Sequence, residues 1–504
     1  MWRDEVRAFS VATRASTASA MIESLHQEGH PAVWYLMLRV GYAITGTNLV
    51  LPALALSSAL GIAYVVLRFA PFPFWFRLLI VFGTFVSYEY SVMSRNYGIG
   101  VLLLVIAATI FRDRSERGIA LGIILGLMAN TSVHAAIVCS VLSLLWVLDL
   151  FDPVRRDSLL RPQPLAGLGI ALLGMIIGLW SANPSREMSY ATSLHQLTLH
   201  DILRSILIDP GKGLKGPADI AASEELPWSH LGIDALIAGR LIVDFVIVSI
   251  AWALAPRRGY LFVFVVSVLS FEVLFRGVYP GSLRHQGMLT LLAIGICWIA
   301  IRDTTFEKCA SFAERIWLGL LPIVLIQSIA LPFIARRHLV YPASSSKALA
   351  GLIRSNPNLI DAILISEPDI MMEPLPYYVD NGIYMPRQHR YSKTGYFSTG
   401  SGLERYMTLG GLINAADSIG CVTRRTIILS IGYPEFVKRT NYRLKGAYNA
   451  VEFSWTADEK ARLVKRGHLL AYFNRATSDE NYETFELPAP DPASCQRFPR
   501  NTSG

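Results

Sequence analysis

Long apolar runs fill this chain up to about residue 335 and then stop, and that pattern constrains the fold more than any other feature. They lie at roughly 48–69, 73–90, 97–111, 118–131, 133–151, 165–181, 236–255, 260–277, 286–302 and 315–335, which gives about ten candidate spans. Inside a bilayer the backbone must satisfy its own hydrogen bonds, so runs of this kind fold as helices packed on helices. Composition agrees. Of the 504 residues, 52% are hydrophobic and 17% charged, against about 45–50% and about 25% in soluble domains. The same numbers exclude a disordered chain and a disulfide-dense secreted scaffold.

The net charge of +8 would suggest nucleic acid in a soluble protein. Here the cations gather in alternate short connections: Arg68 and Arg77; Arg112, Arg114 and Arg117; Arg155, Arg156 and Arg161; Arg257 and Arg258; Arg302 and Lys308. Lys and Arg are retained on the cytoplasmic side, so these connections mark that side and no nucleic-acid partner is expected. The opposite side then receives residues 1–47, the Tyr88–Tyr97 turn, the loop 182–235, the Tyr279–Gly287 turn and everything after residue 336. The expected fold is a polytopic α-helical membrane protein of about ten spans over 48–335, with an external head at 1–47 and a soluble α/β domain over 340–504.

The head reads as a mildly amphipathic helix over residues 6–28, ended by Gly29, and a second short helix opened by Pro31 with Trp34 and Tyr35 near its start. Aromatic rings favour the headgroup level, so this second helix reads as interfacial. Trp2-Arg3-Asp4-Glu5, then Gly29-His30-Pro31-Ala32-Val33-Trp34-Tyr35, then a span and the turn Ser94-Arg95-Asn96-Tyr97, resemble the GT-C membrane glycosyltransferases of the protein O-mannosyltransferase and aminoarabinose transferase type. The resemblance covers roughly the first 130 residues; beyond them it is carried by topology and by Arg284-His285-Gln286-Gly287. Two features depart from the family pattern. Ala32 replaces the second proline of an HPP-like segment, and the family's span before the acidic motif is expected upstream of Met1.

The resemblance implies transfer of a sugar from a polyprenyl-phosphate donor to a lipid, glycan or protein acceptor at the external face of a bacterial inner membrane, with inversion at the anomeric carbon. Such a reaction needs a base for the acceptor hydroxyl and positive donors for the departing phosphate. Asp4 matches the family's acidic residue and is the expected base, with Glu5 as its partner or as a ligand for a divalent cation. His30, Arg95, Arg284 and His285 are the expected donor-phosphate and substrate-binding residues, because an Arg fork matches phosphate oxygens. Plainer roles compete with each assignment. Acidic residues favour a helix start, a histidine before proline caps turns, and interfacial arginines snorkel to headgroups.

Other ionisable residues read as structural. Arg240 and Asp244 are four apart on one helix, Glu272 and Arg276 likewise, and His134 with Asn130 lies in a polar kink between short apolar runs. The loop 182–235 carries His195, His200, Asp201, Asp209 and His230 without metal-ligand spacing and is expected to cover the acceptor cleft. The tail has no phosphate loop and no nucleophile elbow. Its Tyr377, Tyr378 and Tyr384 suit either a carbohydrate-stacking surface or a core, and Cys421 and Cys495 are both on the external side. A transporter or flippase of lipid-linked saccharides and a non-catalytic membrane scaffold are the alternative functions. Transport would favour charge through the membrane depth and repeated halves, which are not found here.

Overall fold

A computed structural model of the chain describes residues 2–26, 28–153, 155–183, 198–200, 202–203, 235–277, 281–304, 309–395, 403–445 and 451–497. The chain forms two compact units. One joins Met1–Ser10 to Arg337–Gly504, and the other is the helical body over Val11–Pro184 and Tyr190–Arg336. His195, Asp201, Asp209 and His230 of the long loop lie outside the described residues.

The head contains α1 (Arg3–Arg14), α2 (Ala18–Leu25) and α3 (Val33–Thr45). The single helix expected over 6–28 is therefore two, because the Thr17 side chain accepts the Ala20 N–H and starts a new helix there. Gly29 and Gly46 take left-handed φ values of 66° and 65° after α2 and α3, a conformation that glycine adopts without a Cβ clash.

The helical body continues through α4 (Val50–Phe69), α5 (Phe74–Val81), a π-turn at Phe85–Glu89, α6 (Tyr97–Ile110), α7 (Gly118–Ala129), α8 (Val133–Asp149), α9 (Arg156–Leu159), α10 (Pro162–Ser181), α11 (Ala235–Leu254), α12 (Arg258–Gly277), α13 (Leu283–Arg302) and α14 (Cys309–Val340). Among the described residues five helices are long and apolar enough to cross a membrane: α4, α10, α12, α13 and the Ala310–Val340 part of α14. The other apolar runs form shorter or interrupted helices; the run at 73–90 breaks between α5 and the π-turn. In α13, 89% of the apolar window is buried, so this helix is the centre of the bundle, whereas α10 buries only 28%. Outward chains such as Leu56, Leu60, Ile176, Trp180, Phe245 and Val248 are exposed, far more apolar surface than water tolerates. Asp244 is exposed on α11 beside Phe245, while Glu272 is buried 3.7 Å from Arg276. The side chain of Arg240 lies outside the description.

Small residues set the closest approach. On α7, Gly118, Gly122 and Gly126 recur every fourth residue, and a Cβ at Gly122 would stand 2.0 Å from the Gly167 carbonyl of α10. At one end of the bundle Asp303 Oδ2 receives Arg114 at 3.1 Å, Arg155 at 2.8 Å and the Tyr260 hydroxyl at 2.7 Å, and Arg155 also reaches Asp149 at 3.2 Å. Burial disfavours the Asp303 carboxylate, yet Arg114, Arg155 and the Tyr260 hydroxyl outweigh it and hold the carboxyl below its usual range. This network ties the ends of α6, α8, α12 and α13. Arg114, Arg155 and Asp303 lie at or beside three of the connections expected on one side of a membrane.

The other unit contains α15 (Ser346–Ser355), β1 (Ile363–Glu367), β2 (Tyr384–Met385), β3 (Arg390–Tyr391), β4 (Tyr406–Thr408), α16 (Leu409–Thr423), β5 (Ile427–Ile431), α17 (Pro434–Lys438), β6 (Tyr442–Lys445), β7 (Glu452–Trp455), α18 (Ala457–Arg466), β8 (His468–Phe473) and β9 (Tyr482–Leu487). Its main sheet runs β1-β5-β9-β8 with β1 and β5 parallel; β4-β7-β6 form a second sheet and β2-β3 a small third. Strands β1 and β5 are buried on both faces: Ile363, Ile365, Ile427 and Leu429 face the α16 core, while Leu364 and Ile428 face the α15 core. Cys421 and Cys495 form a disulfide across 74 positions of sequence. The first residues of α1 add to this unit: Arg3 pairs with Asp479 at 2.9 Å, Arg7 with Glu373 at 2.7 Å, and Phe9 and Ser10 meet Tyr377.

Candidate functional site

The residues expected to bind phosphate come together at the other end of the helical body. His285 is the hub. The Ser282 backbone N–H donates to its Nδ1 at 2.8 Å, which leaves Nε2 as the protonated nitrogen of the neutral ring. Around it, the Tyr97 ring stands edge-on at 5.2 Å and the His134 ring stacks at 4.9 Å. His285 also lies within electrostatic reach of Arg284, Arg95 and His30. Arg95 Nη2 donates to His30 Nε2 at 3.4 Å, so the head helices and the turn before α6 meet directly. These groups come from segments as far apart as residues 30 and 285.

Local sequence explains the placement. Val33 N–H donates to the Asn130 carbonyl at 3.1 Å and fixes the start of α3 beside the α7–α8 turn. Ser132 caps α8 by accepting the Ala135 N–H at 3.0 Å, which sets His134 in the first turn of that helix. The Tyr90 hydroxyl donates to the Arg284 carbonyl at 2.7 Å. Gly287 permits that contact, since a Cβ there would stand 2.6 Å from the Tyr90 hydroxyl and 2.4 Å from the Phe85 ring. Phe271 and Phe275 wall the His134 side.

Two guanidiniums and several imidazoles gather beside one carboxylate, Glu89, and that surplus of positive charge suits an anion. Two buried polar atoms have no hydrogen-bond partner among the described residues: the Tyr97 hydroxyl, in a residue 1% exposed, and His134 Nε2, in one 8% exposed. Buried polar groups are normally satisfied, so these atoms mark room for polar groups from an occupant. A small, partly open apolar recess lies among α11, α12, α13 and α14; its lining includes Val246, Ile250, Phe264 and Val268 with Gln286 and Thr290. Gln286 follows His285 on α13, so the recess adjoins the polar cluster.

Asp4 and Glu5 belong to the other unit, in the first turn of α1. Asp4 lies 3.7 Å from Arg3 Nε, and Glu5 accepts the Trp2 N–H at 3.1 Å. Among the described residues no three His, Cys, Asp or Glu side chains gather to hold a metal, and the guanidinium beside Asp4 is a poor neighbour for a cation, so the pair does not fit a metal centre. Tyr377 and Tyr384 are engaged, the first with Phe9 and Ser10 and the second with the Tyr391 ring at 5.3 Å.

The structure brings together His30, Arg95, Arg284 and His285, which the sequence places in turns, and sets Tyr97, Glu89 and His134 beside them. Tyr97 and Glu89 are not among the residues expected from the sequence, and His134 reads there as a kink, because each sits in or beside an apolar run where a packing role is the plainer inference. In comparisons with known proteins, no family model, no curated protein and no solved structure matches this chain.

Proposed function

We propose that the chain is a membrane glycosyltransferase that moves a sugar from a polyprenyl-phosphate donor to an envelope acceptor on the external side of the membrane. The observation that carries this reading is the convergence of Arg95, Arg284, His30 and His285 from distant segments at one end of the helices. Arg95 and Arg284 would neutralise the phosphate while it leaves, and the Nε2–H of His285 would donate to one of its oxygens. The apolar recess beside Gln286 suits an isoprenoid tail held in the membrane. The resemblance assigns the acceptor's proton to Asp4, with Glu5 beside it.

Two further features support an inner-membrane enzyme with its tail outside the cytoplasm. The five apolar helices, α13 among them at 20 residues, span about 30 Å each or more, the thickness of a hydrocarbon core. The Cys421–Cys495 disulfide fits an oxidising compartment. The shorter helices would complete a bundle of about ten spans by pairing with the long ones.

The test compares envelope glycans and prenyl-linked sugars with and without the gene. Loss of one modification together with build-up of its prenyl-linked donor is expected. Unchanged glycans and unchanged donor pools would contradict the proposal.

A further inference from the structure

Glu89 ends the π-turn between α5 and α6 and is 8% exposed. No described residue hydrogen-bonds its carboxylate, and Arg284 is the positive charge that faces it. Three other buried carboxylates among the described residues receive donors. Glu367 receives two bonds from Arg387 and one from Tyr433. Glu373 receives Arg7 and the Gly395 N–H, and Asp303 has its own network. Neither Glu89 oxygen is among the sealed polar atoms without a partner, so in a residue otherwise buried the carboxylate opens onto accessible space beside Arg284, where a partner that arrives with the substrate can meet it. A hydroxyl is such a partner, and the unpartnered Tyr97 hydroxyl and His134 Nε2 in the same cluster suit further sugar hydroxyls.

We propose that Glu89 is the catalytic base of this site, taking the proton of the acceptor hydroxyl in place of Asp4. The proposal rests on the transferase reading. The acceptor oxygen bonds to the anomeric carbon of the donor sugar as the bond from that carbon to the phosphate oxygen breaks. The electron pair leaves with the lipid phosphate, held by Arg95 and Arg284, and the acceptor's proton passes to Glu89, which later returns it to water. Arg284 links the two halves, because the guanidinium that faces Glu89 is also one of the two that grip the phosphate.

Three variants of the full chain, Glu89→Gln, Glu89→Asp and Asp4→Asn, restored to cells lacking the gene and compared at equal abundance, provide the test. Transfer is measured in isolated membranes, and binding of undecaprenyl phosphate is measured on each purified chain in nanodiscs. Glu89→Gln is expected to slow transfer by about 10²–10⁴-fold while leaving undecaprenyl phosphate binding within about twofold of the parent. Glu89→Asp, which keeps the charge and serves if the amide does not accumulate, is expected to retain a reduced rate. Near-parental transfer by Glu89→Gln with loss in Asp4→Asn would return the base to Asp4. Parallel loss of transfer and of phosphate binding in Glu89→Gln would reduce Glu89 to a counter-ion of Arg284. Failure of the transferase reading itself has a different signature: cells lacking the gene would show no change in glycans at all.

Discussion

His285 shows how much chemistry one backbone contact can fix. The Ser282 N–H occupies Nδ1, so the proton sits on Nε2, and the rings of Tyr97 and His134 hold the imidazole in place. Glu480, in the other unit, offers a test at the same scale. Its carboxyl is buried and pushed up to about 7, although the Arg3 charge and N–H pull the other way. Between about pH 4.5 and about 7 the folded chain keeps a proton that the unfolded chain has released, so local stability falls as pH rises through that window, by about 3 kcal/mol in total. Hydrogen exchange at Ser344–Leu349 should therefore speed up from pH 5 to pH 8 beyond its intrinsic base catalysis. In Glu480→Gln that extra acceleration should be absent; an unchanged profile would show that Glu480 does not titrate there. Of the candidate residues, those in polar turns were legible because the family resemblance rests on those turns. Glu89 and Tyr97 were not, since burial and partner loss are properties of the folded chain.

At the scale of elements, periodicity and turn residues located much of the tail. The pattern predicts a helix over Ala457–Arg466 and strands over His468–Phe473, Ala362–Ser366 and Thr426–Ile431; the first two have these bounds, and β1 and β5 lie within one residue of theirs. It also predicts a helix over Leu403–Ile419, which starts instead at Leu409, because Tyr406–Thr408 pair with β7 and Thr408 caps the helix by accepting the Gly411 N–H. That pairing joins residues far apart in sequence, which local patterning does not encode. The apolar runs were legible as helices, but not the break before the π-turn or the Asp303 network. Asp303→Ala should remove the more buried of the two carboxylates that Arg114 and Arg155 share, 3% exposed, leaving them Asp149 alone and the Tyr260 hydroxyl without its acceptor, at a cost of about 3–5 kcal/mol. Thermal unfolding of the purified chain in detergent would register this as a marked fall in midpoint; an unchanged midpoint would mean that the network contributes little.

For the whole molecule, the helical body has two polar ends. Asp303 and Arg114 lie at the C-terminal ends of α13 and α6, and His285 and Tyr97 at their N-terminal ends. The first is an ion-pair network in which Arg114 and Arg155 share the carboxylates of Asp149 and Asp303, with only the Arg114 Nε left without a partner among the described residues. The second collects positive charge and two polar atoms without described partners, and it adjoins an apolar recess. The surplus of positive charge beside that recess is the ground for proposing the second end as the one that binds phosphate. Direct binding of undecaprenyl phosphate to the purified chain in nanodiscs, with Arg95→Ala/Arg284→Ala as the comparison, tests it most directly. Each charge-assisted contact contributes about 1.5–3 kcal/mol, so saturable binding by the parent chain and a loss of about a hundredfold or more in the double variant are expected. Equal affinity in the two chains, with the variant still folded, would contradict the assignment of this end as the phosphate site.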